Sequence, residues 1–112
     1  MTRDEIMKME PGRELDAIVD NLVLNRYGTT RKHEEWVYPA PRSTDIAAAF
    51  EAEEIAIEKD PAMYVHALAS VVFGCSQVQD ISDIRKMCML IHATPEQRCK
   101  AALLAVMDNE TN

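Results

Sequence analysis

Two helix-start signals constrain this chain more than any other feature of its sequence. Asp60-Pro61 sets a good N-cap residue before a proline, which is tolerated at the first position of a helix. In the run from Thr94 to Gln97, a proline follows the N-cap threonine and the glutamine completes a capping box. These signals predict one helix after Asp60, ending near Gly74, and a C-terminal helix after Thr94.

Apolar side chains at helical spacing predict a helix near the N-terminus, after a short helical turn that Thr2 and Glu5 cap. Its stripe consists of Leu15, Ile18, Val19, Leu22 and Val23, and Gly28 is expected to end it.

Two further helices are predicted in the middle of the chain. One begins at Ser43 or Thr44, with Asp45 in its first turn. Its buried side is predicted to be Ile46, Ala49, Phe50 and Ile57, and its solvent-facing side Glu51, Glu53, Glu54 and Glu58. The other is short, begins at Ser82 and contains Ile84, Cys88 and Ile91.

The fold class that follows is mainly α: a compact bundle of four to five helices in a single domain, residues 1–112. Aromatic residues make up only 5% of the chain, and the remaining apolar residues are mostly aliphatic, which favours packed helices. The alternative is an α+β sandwich with two or three short strands, because Val71-Val72-Phe73 also favours extended structure.

The charge and the cysteines limit the classes of partner and compartment. A net charge of −7 opposes binding to duplex nucleic acid. Three cysteines without a CxxC pair indicate reduced thiols, and no apolar stretch has the length of a signal peptide or a membrane span. We therefore expect a protein of the cytoplasm with no membrane partner.

Seven methionines and several apolar stripes favour a homo-oligomer, most simply a dimer.

Candidate catalytic and metal-binding residues each have a simpler structural interpretation. Cys99 lies beside Arg98 and Lys100, a setting that can activate a thiol, but a cysteine in an alanine-rich helix is usually a packed apolar residue. Cys88, His92 and Cys99 are possible zinc ligands without a fourth. The sequence therefore predicts neither an enzyme nor a cofactor or metal.

A loop at residues 26–42 is the strongest candidate binding site. It is locally basic in an acidic chain and holds half of the aromatic residues. Arginine binds phosphate through directional hydrogen bonds, and aromatic faces stack on bases, so an anionic small molecule or a host protein is the expected ligand. The alternative is that the aromatic side chains pack the loop onto the helices. The predicted binding residues are Arg26, Tyr27, Arg31, Lys32, Trp36, Tyr38 and Arg42.

Residues 9–16 (MEPGRELD), 43–50 (STDIAAAF) and 92–105 (HATPEQRCKAALLA) resemble small phage proteins of the phage ABA sandwich family. The resemblance implies a phage origin, and it brings no catalytic motif. In that family, aromatic-rich strands lie between the second and the last helix, whereas residues 60–92 here are poor in aromatics.

The function expected from these observations is a phage-encoded, non-enzymatic accessory protein of the host cytoplasm. It is expected to act by binding a host factor or small molecule in counter-defence or host takeover. The alternative is a structural or assembly factor that acts through self-association, and an enzyme of unidentified type is the third interpretation.

Overall fold

The protein is described here from a computed structural model, which covers residues 2–24, 41–74 and 84–111. These ranges contain helices and no strand, so the mainly helical class is confirmed. The alternative with a strand at Val71-Val72-Phe73 is wrong, because one helix spans Pro61–Phe73. The helices are α1 (Arg3–Lys8), α2 (Arg13–Leu22), α3 (Ile46–Lys59), α4 (Pro61–Phe73), α5 (Ile84–Ile91) and α6 (Pro95–Thr111).

The C-terminal helix α6 is the centre of the bundle. It packs most extensively against α3 and α4, and it also contacts α2 and α1. Cys99 and residues 101–106 are all buried, so this part of α6 is covered on every side. The other helices form a layer around it, and α5 packs mainly against α4.

Local cap chemistry starts and ends the helices where the sequence predicts. The amide of Gln97 donates to Thr94 Oγ1 at 3.1 Å, and Gln97 Oε1 accepts from the Thr94 amide at 2.9 Å, which is the reciprocal pairing of a capping box. Asp60 accepts from the amide of Met63 at 3.1 Å, with Pro61 at the first helical position. Gly74 ends α4 in the left-handed conformation, at φ 73°. These three predictions are confirmed.

Two predicted boundaries differ from the structure. Helix α2 ends at Leu22, because the amides of Val23 and Leu24 both donate to the carbonyl of Val19 and close the last turn there. Gly28, the predicted end, lies outside the described residues. At the start of α3, the cap is Asp45, whose side chain accepts from the amide of Ala47 at 3.0 Å. The predicted cap Ser43 instead bonds to the backbone of Gly12.

The buried face of α3 is formed by alanines. Ala49, Ala52 and Ala56 are buried, whereas three of the four residues predicted to be buried (Ile46, Phe50 and Ile57) are about 40% exposed. Small side chains let α3 pack closely on the fully covered α6, so the bulky residues fall on the neighbouring stripe of the helix. The prediction failed because helical spacing shows which residues share a face of a helix, but not which stripe of that face packs on a neighbouring helix.

Candidate functional site

Most of the predicted binding loop lies outside the described residues. This applies to Arg26, Tyr27, Arg31, Lys32, Trp36 and Tyr38, whose role stays a prediction. Arg42 is the one member of the set that the structure describes, and its side chain is fully buried. The structure therefore places Arg42 inside the protein.

Arg42 is held by partners from α2 and α3. Its Nε donates to Asp20 Oδ1, and its Nη1 donates to the carbonyl of Ala48 at 2.9 Å and lies 3.4 Å from Glu51 Oε2. Burial opposes the charge, but the hydrogen bonds and charges of Asp20 and Glu51 outweigh it, so the pKa of Arg42 is raised. The third nitrogen, Nη2, is buried with no hydrogen-bond partner.

The neighbouring residue, Ser43, fastens the same segment to α2. Its amide donates to the buried carboxylate of Asp16 at 2.7 Å, and its hydroxyl accepts from the amide of Gly12 at 2.8 Å. Together, Asp16, Asp20, Arg42 and Ser43 form a buried polar cluster, called here the loop anchor. Its effect is to hold the chain that follows the loop against α2, just before α3 begins.

A second polar cluster surrounds Arg98 of α6. Arg98 donates to Glu53 Oε1 at 2.6 Å and to the carbonyls of Ile91 and Ala93 at 2.7 and 3.1 Å. Tyr64 donates to the same oxygen of Glu53 at 2.6 Å, and burial together with Glu53 raises the pKa of Tyr64. The guanidinium carbon of Arg98 also lies 4.9 Å from the centre of the Phe50 ring.

This cluster corrects the prediction that Glu53 faces solvent with the other glutamates of α3. The Glu53 side chain is only 15% exposed, because it turns toward Arg98 and Tyr64. Glu51, Glu54 and Glu58 are exposed as predicted. Helical spacing gave no sign of this difference, since the partner Arg98 lies 45 residues along the chain.

Helix α5 leaves its apolar stripe open to solvent. Ile84, Met87, Cys88 and Ile91 follow helical spacing and are all exposed, at 76% for Ile84 and 68% for Ile91. None of the eight residues of α5 is buried, although Leu90 packs against the core. We call these four residues the α5 surface.

The exposed apolar side of α3 adjoins the α5 surface through Arg98. This arginine lies against the ring of Phe50 and donates to the carbonyl of Ile91, so both residues contact one guanidinium. Apart from Val65 of α4, the large exposed apolar side chains of the described residues all belong to α3 and α5. Sequence analysis identified the α5 stripe and did not predict that it would be exposed.

Cys99 has the properties of a packed residue. It is fully buried, and burial raises the pKa of its thiol to about 12, with the charge of Asp16 adding to the effect and that of Arg42 opposing it. The side chains of Arg98 and Lys100 point to other partners. In the described parts of the chain, no group of three or more His, Cys, Asp or Glu side chains is placed to hold a metal ion.

We expect Cys99 to resist thiol reagents in the native protein. In a Cys75→Ser variant, Ellman's reagent near pH 8 should modify the exposed Cys88 and leave Cys99 unmodified until denaturant is added. Because the thiol ionises near 9.0 when free and near 12 when folded, its contribution to stability is complete below pH 9 and is lost between pH 9 and 12. Cys99→Ala should flatten this alkaline loss. Rapid native labelling of both thiols would contradict the prediction.

Comparison of the chain with protein-family models, curated protein sequences and solved structures finds no match. The resemblance to the phage ABA sandwich family therefore stays a prediction. In the described ranges, no helix is both long enough and apolar enough to cross a membrane. The features from which a function can be argued are thus the α5 surface, the two polar clusters and the sequence of the loop.

Proposed function

We propose that this chain is a phage-encoded, non-enzymatic accessory protein that acts through a protein–protein contact at the α5 surface. The observation that carries the proposal is that α5 is amphipathic and yet has no buried residue. Large apolar side chains that remain in water mark a contact site, because covering them is favourable. The resemblance of three segments to phage proteins supports the phage origin, and with it a role in host takeover or counter-defence.

The contacts of α5 support presentation of this surface in one orientation. Arg98 bonds to the carbonyl of Ile91 at the end of α5 and to that of Ala93 just beyond it. Leu90, the residue before Ile91, packs against the core. A surface held in place before binding loses less conformational freedom when a partner arrives, which favours affinity.

The basic and aromatic loop at residues 26–42 is the competing site. Its sequence favours an anionic small molecule or a host protein, and Arg42 belongs to the loop anchor instead of an exposed patch. The two sites are distinguished by substitutions that do not overlap: Ile84→Glu with Ile91→Glu for the α5 surface, and Arg31→Ala with Lys32→Ala for the loop.

The test is plating efficiency in bacteria that carry antiphage defence systems and express the chain. We expect the wild-type chain to raise the plating of a restricted phage and the double α5 variant to lose this effect at equal protein level. Val65→Glu is the matched control, because Val65 is an exposed apolar residue outside α3 and α5. Loss of the effect in the loop variant alone would assign binding to the loop. No effect of the wild-type chain in any defence background would refute the accessory role.

A further inference from the structure

The residues of the α5 surface are spaced symmetrically along the helix. Its residues Ile84, Met87, Cys88 and Ile91 are separated by three, one and three positions, so an isoleucine lies at each end and the centre falls between Met87 and Cys88. In a two-fold interface the same patch is used by both copies, and residue i contacts j where j contacts i. An antiparallel α5 pair meets this condition, with Ile84 against the partner's Ile91 and Met87 against the partner's Cys88.

The charge distribution favours the same contact. Two copies of a chain with a net charge of −7 repel each other, and the repulsion is least where the facing surfaces carry no carboxylate. Residues 84–91 contain no aspartate or glutamate. The exposed side of α3, by contrast, carries Glu51, Glu54 and Glu58, so a symmetric contact centred on α3 sets like charges together.

The area of the α5 surface sets the affinity expected for the dimer. A helix of eight residues is about 12 Å long, which is short for an interface when a specific complex buries on the order of 1,000 Å² or more. The exposed ring of Phe50 contacts the guanidinium that also bonds to the carbonyl of Ile91, so the apolar area counted for the contact is that of α5 alone. An interface of this size is expected to give a weak dimer, with a dissociation constant on the order of micromolar.

We propose that the partner of the α5 surface is a second copy of this chain, bound through an antiparallel, two-fold pairing of α5 with α5. The inference rests on the proposed function, because it names the partner of the same surface. The dimer that forms has its two-fold axis between Met87 and Cys88.

Sedimentation equilibrium across a wide concentration range tests the proposal. The wild-type chain should shift from its 12.6 kDa monomer mass toward twice that mass as concentration rises. Ile84→Glu with Ile91→Glu should stay monomeric with an unchanged melting temperature, because both side chains are exposed. Val65→Glu, the control on α4, should dimerise like the wild type.

The direction of pairing is tested by a charge exchange. Ile84→Glu with Ile91→Lys places the new glutamate against the partner's new lysine only if the helices are antiparallel. This variant should dimerise at least about tenfold more tightly than the double-glutamate variant, equivalent to about 1.4 kcal/mol. Equal dimer dissociation constants for the two variants would refute the antiparallel arrangement.

Two results would overturn the second copy as partner. One is a monomer mass for the wild-type chain at all concentrations, and the other is a dimer that survives the double-glutamate substitution. If the chain is monomeric and its effect on phage plating still depends on the α5 surface, the proposed function stands and the partner is a different protein. If the chain dimerises through α5 and has no effect on plating, the accessory role fails while the dimer stands.

Discussion

Replacing Arg42 by methionine should lower the free energy of unfolding by about 3–5 kcal/mol, the range seen when one member of a buried ion pair is removed. Arg42 and Asp20 are both fully buried, so the substitution removes a cation that donates to the Asp20 carboxylate inside the protein. It also removes the hydrogen bond to the carbonyl of Ala48 at the start of α3. Urea denaturation followed by circular dichroism measures the change.

The matched control removes both charges. Arg42→Met with Asp20→Leu should recover most of the lost stability, because the second substitution removes the buried carboxylate that pairs with Arg42. The buried Nη2 of Arg42, which lacks a hydrogen-bond partner, adds a desolvation cost that the double variant also removes. A loss below about 1 kcal/mol in the single Arg42 variant would show that the pair contributes little and is open to water.

This prediction also separates Arg42 from the remainder of the loop. Arg31→Ala with Lys32→Ala should leave the melting temperature unchanged if those side chains serve binding, whereas loss of Arg42 should destabilise the fold whether or not a ligand exists. A ligand-binding defect in an Arg42 variant is therefore not evidence for direct contact. It has to be measured under conditions in which the variant is folded.

Features that depend on neighbouring residues were predictable from sequence. The caps at Asp60 and Thr94 and the glycine at position 74 act over three or four residues, so their chemistry is visible in a short window of sequence. The same holds for the apolar stripe of α2, in which Leu15, Val19 and Val23 are buried. These local signals were therefore enough to predict which segments of the chain are helical.

Features that depend on residues far apart in the chain were not predictable. Arg42 pairs with Asp20 across 22 positions, and Arg98 pairs with Glu53 across 45. A charged residue is exposed in most proteins, so the sequence alone predicts Arg42 in a binding patch and Glu53 in solvent. One signal was available: Asp16 and Asp20 lie four residues apart, adjacent to the buried Leu15 and Val19 on α2.

The α5 stripe shows a different limit of sequence reasoning. Its spacing is typical of a helix that buries one face, and Leu15, Val19 and Val23 of α2 follow a similar rule and are buried. Periodicity predicts that an apolar face exists, but it does not say whether the face meets the core of the same chain or another molecule. Only the packing of α5 on α4 reveals that the stripe faces outward.

We expect Arg98→Met to be the other strongly destabilising change, lowering the free energy of unfolding by about 3 kcal/mol. It breaks the ion pair with Glu53, in which the Arg98 side chain is 9% exposed and the Glu53 side chain 15%. It also leaves the carbonyls of Ile91 and Ala93 without their donor. These carbonyls lie at and just beyond the end of α5. Relative to the wild type, the substitution should therefore speed the hydrogen exchange of the α5 amides more than that of the α3 and α4 amides. Hydrogen exchange measured by mass spectrometry resolves this difference.

Lys100→Met is the matched control for Arg98. Lys100 is also a buried cation of α6, but its ion-pair partner Glu96 lies one turn away and is 36% exposed. Water can solvate Glu96 when the lysine is lost, so the cost should be smaller, about 1–2 kcal/mol, and should come mainly from the hydrogen bond to the carbonyl of Met7. If Arg98→Met costs no more than Lys100→Met, or if exchange in α5 is unchanged, Arg98 does not hold α5 against the bundle. The α5 surface would then be positioned by its packing on α4 and the contact of Leu90 with the core.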